Sequence, residues 1–263
     1  MFKKILSTAL AMAMVLSMAV STSAALGKPG SSTPSTKTEQ SSSSSKKSSS
    51  SSSSSKGYDL CKTQLAKDKL ALSMHNTFLS GLKANKDKIT VSIKGYTEKQ
   101  VYAAFQNSLQ MIFDEHPEIF WLDTMQNLVV SSDHKTLTFY PRPASGYGTA
   151  SKDGLTASKL NTTAIKNTTA KMNEAVKKMT GSTTYEQVKA IHDGIINKTQ
   201  YPANPDKATH NQHQAVGPLV EGKAVCDGYA KAFKYACDQK GIPCVIVVGN
   251  ATNNIGEKGT HAW

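Results

Sequence analysis

An α+β fold follows from three features of the 263-residue chain. Apolar residues recur at helical spacing in several segments between 58 and 240. Short alternating stretches at 89–93, 126–130 and 135–140 read as strands. Close to Trp263, a helical pattern starting at Cys226 runs into an apolar, β-branched stretch, Pro243 to Val248. That succession predicts a helix packed on an antiparallel sheet, preceded by a helical lead-in with a β-hairpin.

In the lead-in, Leu60, Leu65, Leu72 and Leu79 predict helix over 58–82, and Ile89 to Ile93 a short strand. Thr97 with Gln100 is a capping box that opens a second helix. Its apolar stripe is Val101, Phe105, Leu109 and Ile112, and it stops before Pro117. Residues 126–130 and 135–140 predict a hairpin turning at Ser131–His134. Pro141, Pro143, Gly146, Gly148 and Gly154 mark a boundary near 150. A helix pair follows. The first carries Ile165, Met172, Val176 and Met179 and stops at Gly181; the second opens on the capping box Thr183/Glu186 and carries Val188, Ile191 and Ile195. Residues 201–219 read as loop. From Cys226, Ala230, Phe233 and Cys237 step by four, three and four along one helical face, and Gly241 ends that helix. The run 243–248 then reads as a buried strand, 249–259 as loop, and Thr260 to Trp263 as the opening of the next strand.

Two N-terminal segments are expected to lie outside the globular part. Residues 1–25 have the organisation of a secretory signal: Lys3 and Lys4, an apolar run from Ile5 to Val20, then small residues from Ser21 to Ala25. The run falls short of the roughly 20 apolar residues that span a bilayer, so an uncleaved anchor is the weaker alternative. Residues 26–56 form a linker of Ser, Thr, Lys, Pro and Gly, with serine at 13 of the 15 positions from 41 to 55. Such a composition buries too little apolar surface to offset its chain entropy. The expected organisation is leader 1–25, linker 26–56, lead-in 57–150 and a C-terminal domain 151–263, with a secreted or cell-surface location and no transmembrane segment in the mature chain.

The net charge of +12 is largely peripheral. Two Lys fall in the leader, and five Lys with one Glu in the linker, leaving +6 for the remainder. Arg142 is the only arginine. Nucleic-acid and phosphate sites favour arginine forks, so the composition argues against a nucleic-acid partner and suits an anionic cell surface. Four cysteines, at 61, 226, 237 and 244, are too few for a disulfide scaffold, and their spacings match no zinc motif. Cys237 and Cys244 are near enough in sequence for a disulfide in an exported protein. His210 and His213 have ligand-like spacing but lie in a loop with no third ligand in view. No metal and no cofactor is expected.

The chemistry centres on Cys226. A thiolate is favoured at the first turn of a helix, where unpaired N–H groups and the helix dipole face it. A Gly-containing loop precedes it, which lets a substrate backbone approach. Backbone N–H groups there are natural donors to an oxyanion. A base must come from elsewhere in the fold, and His261, 35 residues on, follows the strand and loop that could return it to the helix.

The residues carry a more specific signal. Gly222-Lys223-Ala224-Val225-Cys226-Asp227-Gly228-Tyr229-Ala230 resembles the nucleophile segment of the transglutaminase-like superfamily. Ile191-His192-Asp193, Gly217-Pro218-Leu219-Val220, Gly241-Ile242-Pro243-Cys244, Val248-Gly249 and His261-Ala262-Trp263 resemble its flanking motifs, in order, over about 185–263. His116-Pro117-Glu118 resembles, more weakly, the lead-in of exported bacterial members.

The resemblance implies a papain-like core and a Cys, His and Asp triad, with Cys226 as nucleophile and His261 as base. The family's Asp follows the histidine on the next strand, a position beyond Trp263, and no upstream Asp fits that motif. A chain cut just after the catalytic histidine is therefore expected. The implied activity is attack on protein or peptide amides through a thiol acyl-enzyme, passed to an amine in cross-linking or to water by a peptidase or deamidase. The alternative is a catalytically incomplete surface module that binds cell-wall or cell-surface partners.

Overall fold

The computed structural model describes residues 5–6, 60–252 and 258–263. The expected leader and linker lie outside the described residues, apart from Ile5 and Leu6. Those two form strand β1, antiparallel to Leu128–Val129.

The chain folds as α+β, with helices set against small antiparallel sheets. The lead-in opens with α1 (Leu60–Gln64) and α2 (Lys69–Lys83). The continuous helix expected over 58–82 is thus two helices. Asp68 breaks it, because its side chain accepts the Ala71 N–H (2.9 Å) and caps a new start. Strand β2 (Ile89–Ser92) and helix α3 (Glu98–Glu115) follow. The Thr97/Gln100 capping box is formed in both directions. The hairpin β3 (Leu128–Val130) and β4 (Thr136–Phe139) turns where the Ser131 side chain receives the Thr136 N–H (3.0 Å).

The sheet order β1-β3-β4-β2 puts β4 between two partners. Its inward residues Leu137 and Phe139 align with Val91 and Ile89 on one side and Val130 and Leu128 on the other. Helices α2 and α3 cover that face. Phe78, Phe105 and Phe139 meet there with ring centroids 4.9–5.7 Å apart. Gly81 allows the close approach of α2 to β2, since a Cβ there would stand 2.5 Å from the Ile89 side chain.

After the two-residue strands β5 (Gly148–Thr149) and β6 (Lys159–Leu160) come α4 (Thr162–Lys177) and α5 (Thr184–Ile196). The 201–219 stretch is more ordered than a plain loop. It holds 3-10 turns at Pro205–Lys207 and His210–His213 and runs into a π-helical turn at Gly217–Glu221. Helix α6 (Cys226–Gln239) ends on Gly241, whose φ of +68° permits a Schellman closure. The Ile242 N–H reaches the Cys237 carbonyl (2.9 Å), and the Gly241 N–H reaches that of Asp238 (3.2 Å).

The final hairpin is β7 (Val248–Thr252) with β8 (Lys258–Ala262). This corrects the expected buried strand at 243–248. Residues 243–247 are not strand, Val247 and Val248 are exposed, and Ile246 alone of the run is buried. Pairing starts at Val247, which exchanges both backbone hydrogen bonds with Trp263 (3.0 and 2.9 Å) and continues through Thr252, inside the expected loop. The physical reason is one-sided cover: α6 supplies Ala230 against Ile246 and Ala262, and the other hairpin face is open.

One buried cluster runs from Cys61 to Cys237, so the lead-in and α4–α6 share a core. Two polar ties reinforce it. Lys234 on α6 pairs with Glu115 on α3 (3.5 Å), and the Tyr235 hydroxyl on α6 donates to Asn173 on α4 (2.7 Å).

Candidate active site

Local chain geometry places Cys226 at the first position of α6. Gly222 adopts a left-handed conformation (φ +71°). The following residues run extended beside Gln200, with the Ala224 N–H on the Gln200 carbonyl (3.2 Å). Val225 is extended, and its N–H binds the Gln212 carbonyl (3.1 Å). Valine offers no side-chain cap, so the first-turn N–H groups of α6 are left for other partners.

Those partners define the site. The Cys226 N–H donates to the Tyr201 hydroxyl (3.1 Å). The Gly228 N–H goes to the carboxylate of Asp227 (3.0 Å). Cys226 is half-buried, and Tyr201 is exposed. The Tyr201 ring stacks on Tyr229 (centroids 6.3 Å, 15°), and the Tyr229 hydroxyl donates to the Thr199 carbonyl (2.8 Å). Burial pushes the Tyr201 phenol above its ordinary value, and the neighbouring Cys226 adds to the shift.

Asp227 turns away from solvent. Both its oxygens lie at hydrogen-bond distance from His213 Nδ1 (3.0 and 3.1 Å), and Lys231 Nζ stands 3.8 Å off. Lys231 in turn donates to the His213 carbonyl (2.9 Å). An acidic residue in the first turn also suits the helix dipole. This clamp fastens the start of α6 to the His210–His213 turn. His210 is engaged elsewhere, its Nε2 on the Phe120 carbonyl (2.7 Å). The histidines that looked like ligands from their spacing thus face different partners.

His261 is half-buried on β8, opposite Gly249. Its ring meets Trp263 edge-on (4.8 Å, 67°), as alternation along a strand dictates for residues two apart. The intervening Ala262 packs with Ala230 and Ile246. Ala230 lies one turn beyond Cys226, so the fold brings α6 and β8 together one residue from His261. Among the described residues, no hydrogen bond joins the Cys226 thiol to the His261 ring.

None of the four cysteines is in a disulfide, so the pairing considered for Cys237 and Cys244 is not formed. Cys237 on α6 and Cys244 beyond it are neighbours as thiols. Their mutual hydrogen bond pushes the Cys237 thiol up, with burial adding, and brings the Cys244 thiol down.

Sequence reasoning missed Tyr201, His213 and Asp227. Asp227 follows Cys226 directly, but nothing local signals that a loop histidine 14 residues upstream would seat on it. Tyr201 is 25 residues from its partner, in a stretch read only as loop.

No curated protein matches the chain. Residues 172–263, from Met172 on α4 through Cys226 and His261 to Trp263, match the model of the transglutaminase-like superfamily.

Proposed function

We propose that the protein is an exported transglutaminase-like cysteine enzyme that acts on protein or peptide amides, with Cys226 as nucleophile and His261 as base. The observation that carries this reading is the seat of Cys226: first residue of α6, half-buried, uncapped by its neighbour and inside the family match.

In the proposed reaction the Cys226 thiolate attacks the amide carbonyl. The oxyanion takes the Cys226 N–H, and the C–N bond breaks as imidazolium at His261 protonates the leaving amine or ammonia. An incoming amine or water then attacks the thioester, gives its proton to the imidazole, and regenerates the thiolate. This needs the His261 ring within about 3 Å of the thiol, a contact that can tighten only with substrate bound. The papain-like arrangement of helix and sheet, the leader and the cell-surface setting belong to the same proposal. So does the family's Asp partner for His261.

The test is twofold. Iodoacetamide should modify Cys226 near neutral pH faster than Cys61, Cys237 or Cys244. A glutamine peptide incubated with a primary-amine probe should gain the amine, or be deamidated, in a manner lost in Cys226→Ala and in His261→Ala. If Cys226 shows no enhanced reactivity and Cys226→Ala leaves turnover intact, the protein is a binding module on an enzyme fold.

A further inference from the structure

Away from Cys226, the lead-in gathers three metal-ligating side chains. Cys61 on α1, His75 on α2 and His116 at the C-cap of α3 place one ligand atom each within 4.8 Å of the other two. Cys61 and His75 are buried, and the His116 side chain is 19% exposed, which leaves an access route from solvent. The two imidazole rings face each other at 5.3 Å and 37°.

Both histidines are oriented from behind. His116 Nδ1 meets the Glu118 carboxylate (3.1 Å), and that carboxylate is itself paired with Lys83 (3.0 Å). The other nitrogen of His116, Nε2, is buried with no hydrogen-bond partner. A carboxylate behind one nitrogen and a lone pair on the other is how metal-bound histidines are commonly held. His75 Nδ1 lies 3.5 Å from the Ser108 carbonyl. One thiolate and two neutral imidazoles form a soft-to-borderline donor set that suits zinc and disfavours magnesium or calcium. Tetrahedral zinc with ordinary bond lengths holds such atoms about 3.5 Å apart, so closure by roughly 1 Å brings all three onto one ion, and a water molecule takes the fourth position.

We propose that Cys61, His75 and His116 bind a single zinc ion, with Glu118 orienting His116. The ion joins three segments that are separate in sequence: the five-residue α1, α2, and the end of α3. It also fixes the chain just before the Pro117–Ile119 turn, which packs on α6. Its role is structural, and it is independent of the chemistry at Cys226.

The test uses the full chain, stripped of metal and reduced with a non-coordinating phosphine. Zinc should bind at one equivalent and raise the unfolding temperature. Cobalt(II) should give a thiolate charge-transfer band that survives Cys226→Ala and Cys244→Ser but disappears in Cys61→Ser. Glu118→Gln should weaken zinc binding roughly 10- to 100-fold, the usual cost of losing an outer-shell partner. His116→Gln, at a partly exposed position, should abolish the zinc-dependent rise in unfolding temperature while the protein still folds. The proposal is overturned if wild-type protein gives no thiolate band with cobalt(II). It also fails if Cys61→Ser and His116→Gln bind zinc as wild type does, which would assign the ion to other thiols.

Discussion

The hydroxyl of Tyr201 accepts the backbone N–H of Cys226 at 3.1 Å, so the donor best placed for an oxyanion already has a partner before substrate arrives. In the proposed reaction a substrate carbonyl displaces that hydroxyl. A neutral hydrogen bond contributes about 1 kcal/mol net, worth roughly 5-fold in an equilibrium constant. Tyr201→Phe keeps the ring that stacks on Tyr229 and should raise kcat/KM by up to about 5-fold. Steady-state kinetics on the amine-incorporation reaction would check it. A fall of 10-fold or more would instead make the phenol a donor to the oxyanion.

Glu115 and Lys234 form a nearly solvent-free ion pair between α3 and α6. Burial pushes the Glu115 carboxyl up, against the pull of Lys234. Burial also opposes the Lys234 ammonium, but Asp238 and Glu115 outweigh it and hold its pKa above the ordinary value. Lys234 further donates to the Cys244 carbonyl (2.9 Å). Lys234→Met strands a buried carboxylate and should cost about 3–5 kcal/mol in urea unfolding. The double change Glu115→Met/Lys234→Met should recover most of that loss, because the greater part is the penalty of an unpaired charge. Additive single effects would rule this account out.

Tyr235 supplies a pH test. Burial pushes its phenol up to about 12, with the Glu118 charge contributing. The folded pKa lies above the unfolded value of about 10. Its contribution to stability is therefore complete below pH ~10 and is lost as pH rises through ~12. Across that window the loss should not exceed about 1.4 kcal/mol for each step of one in pH. The difference in urea midpoint between wild type and Tyr235→Phe should be constant up to pH ~10. It should then move in favour of Tyr235→Phe towards pH ~12. A difference that stays flat across this window would show that Tyr235 ionises as freely folded as unfolded.

Much of the fold is legible locally. The capping boxes Thr97/Gln100 and Thr183/Glu186 mark helix starts because a cap and its reciprocal partner lie three residues apart. Gly241 marks a helix end because few other residues tolerate its left-handed backbone. The ordered motifs around Cys226 and His261 mark the two positions proposed for nucleophile and base.

Other features depend on contacts that no local pattern encodes. Whether 243–248 or 248–252 is the strand depends on where Trp263 pairs, at Val247, and on which residue faces α6. Tyr201 meets Cys226, and His213 meets Asp227, across 25 and 14 residues. Cys61, His75 and His116 converge from three helices, and their spacing in the chain resembles no ligand motif. The order of amino acids is enough to say which segments become helix, where most of them start, and which thiol sits at a helix start, because those follow from interactions within a few residues. Which side chains share a site is settled by packing, because bringing distant residues together is the work of the buried core.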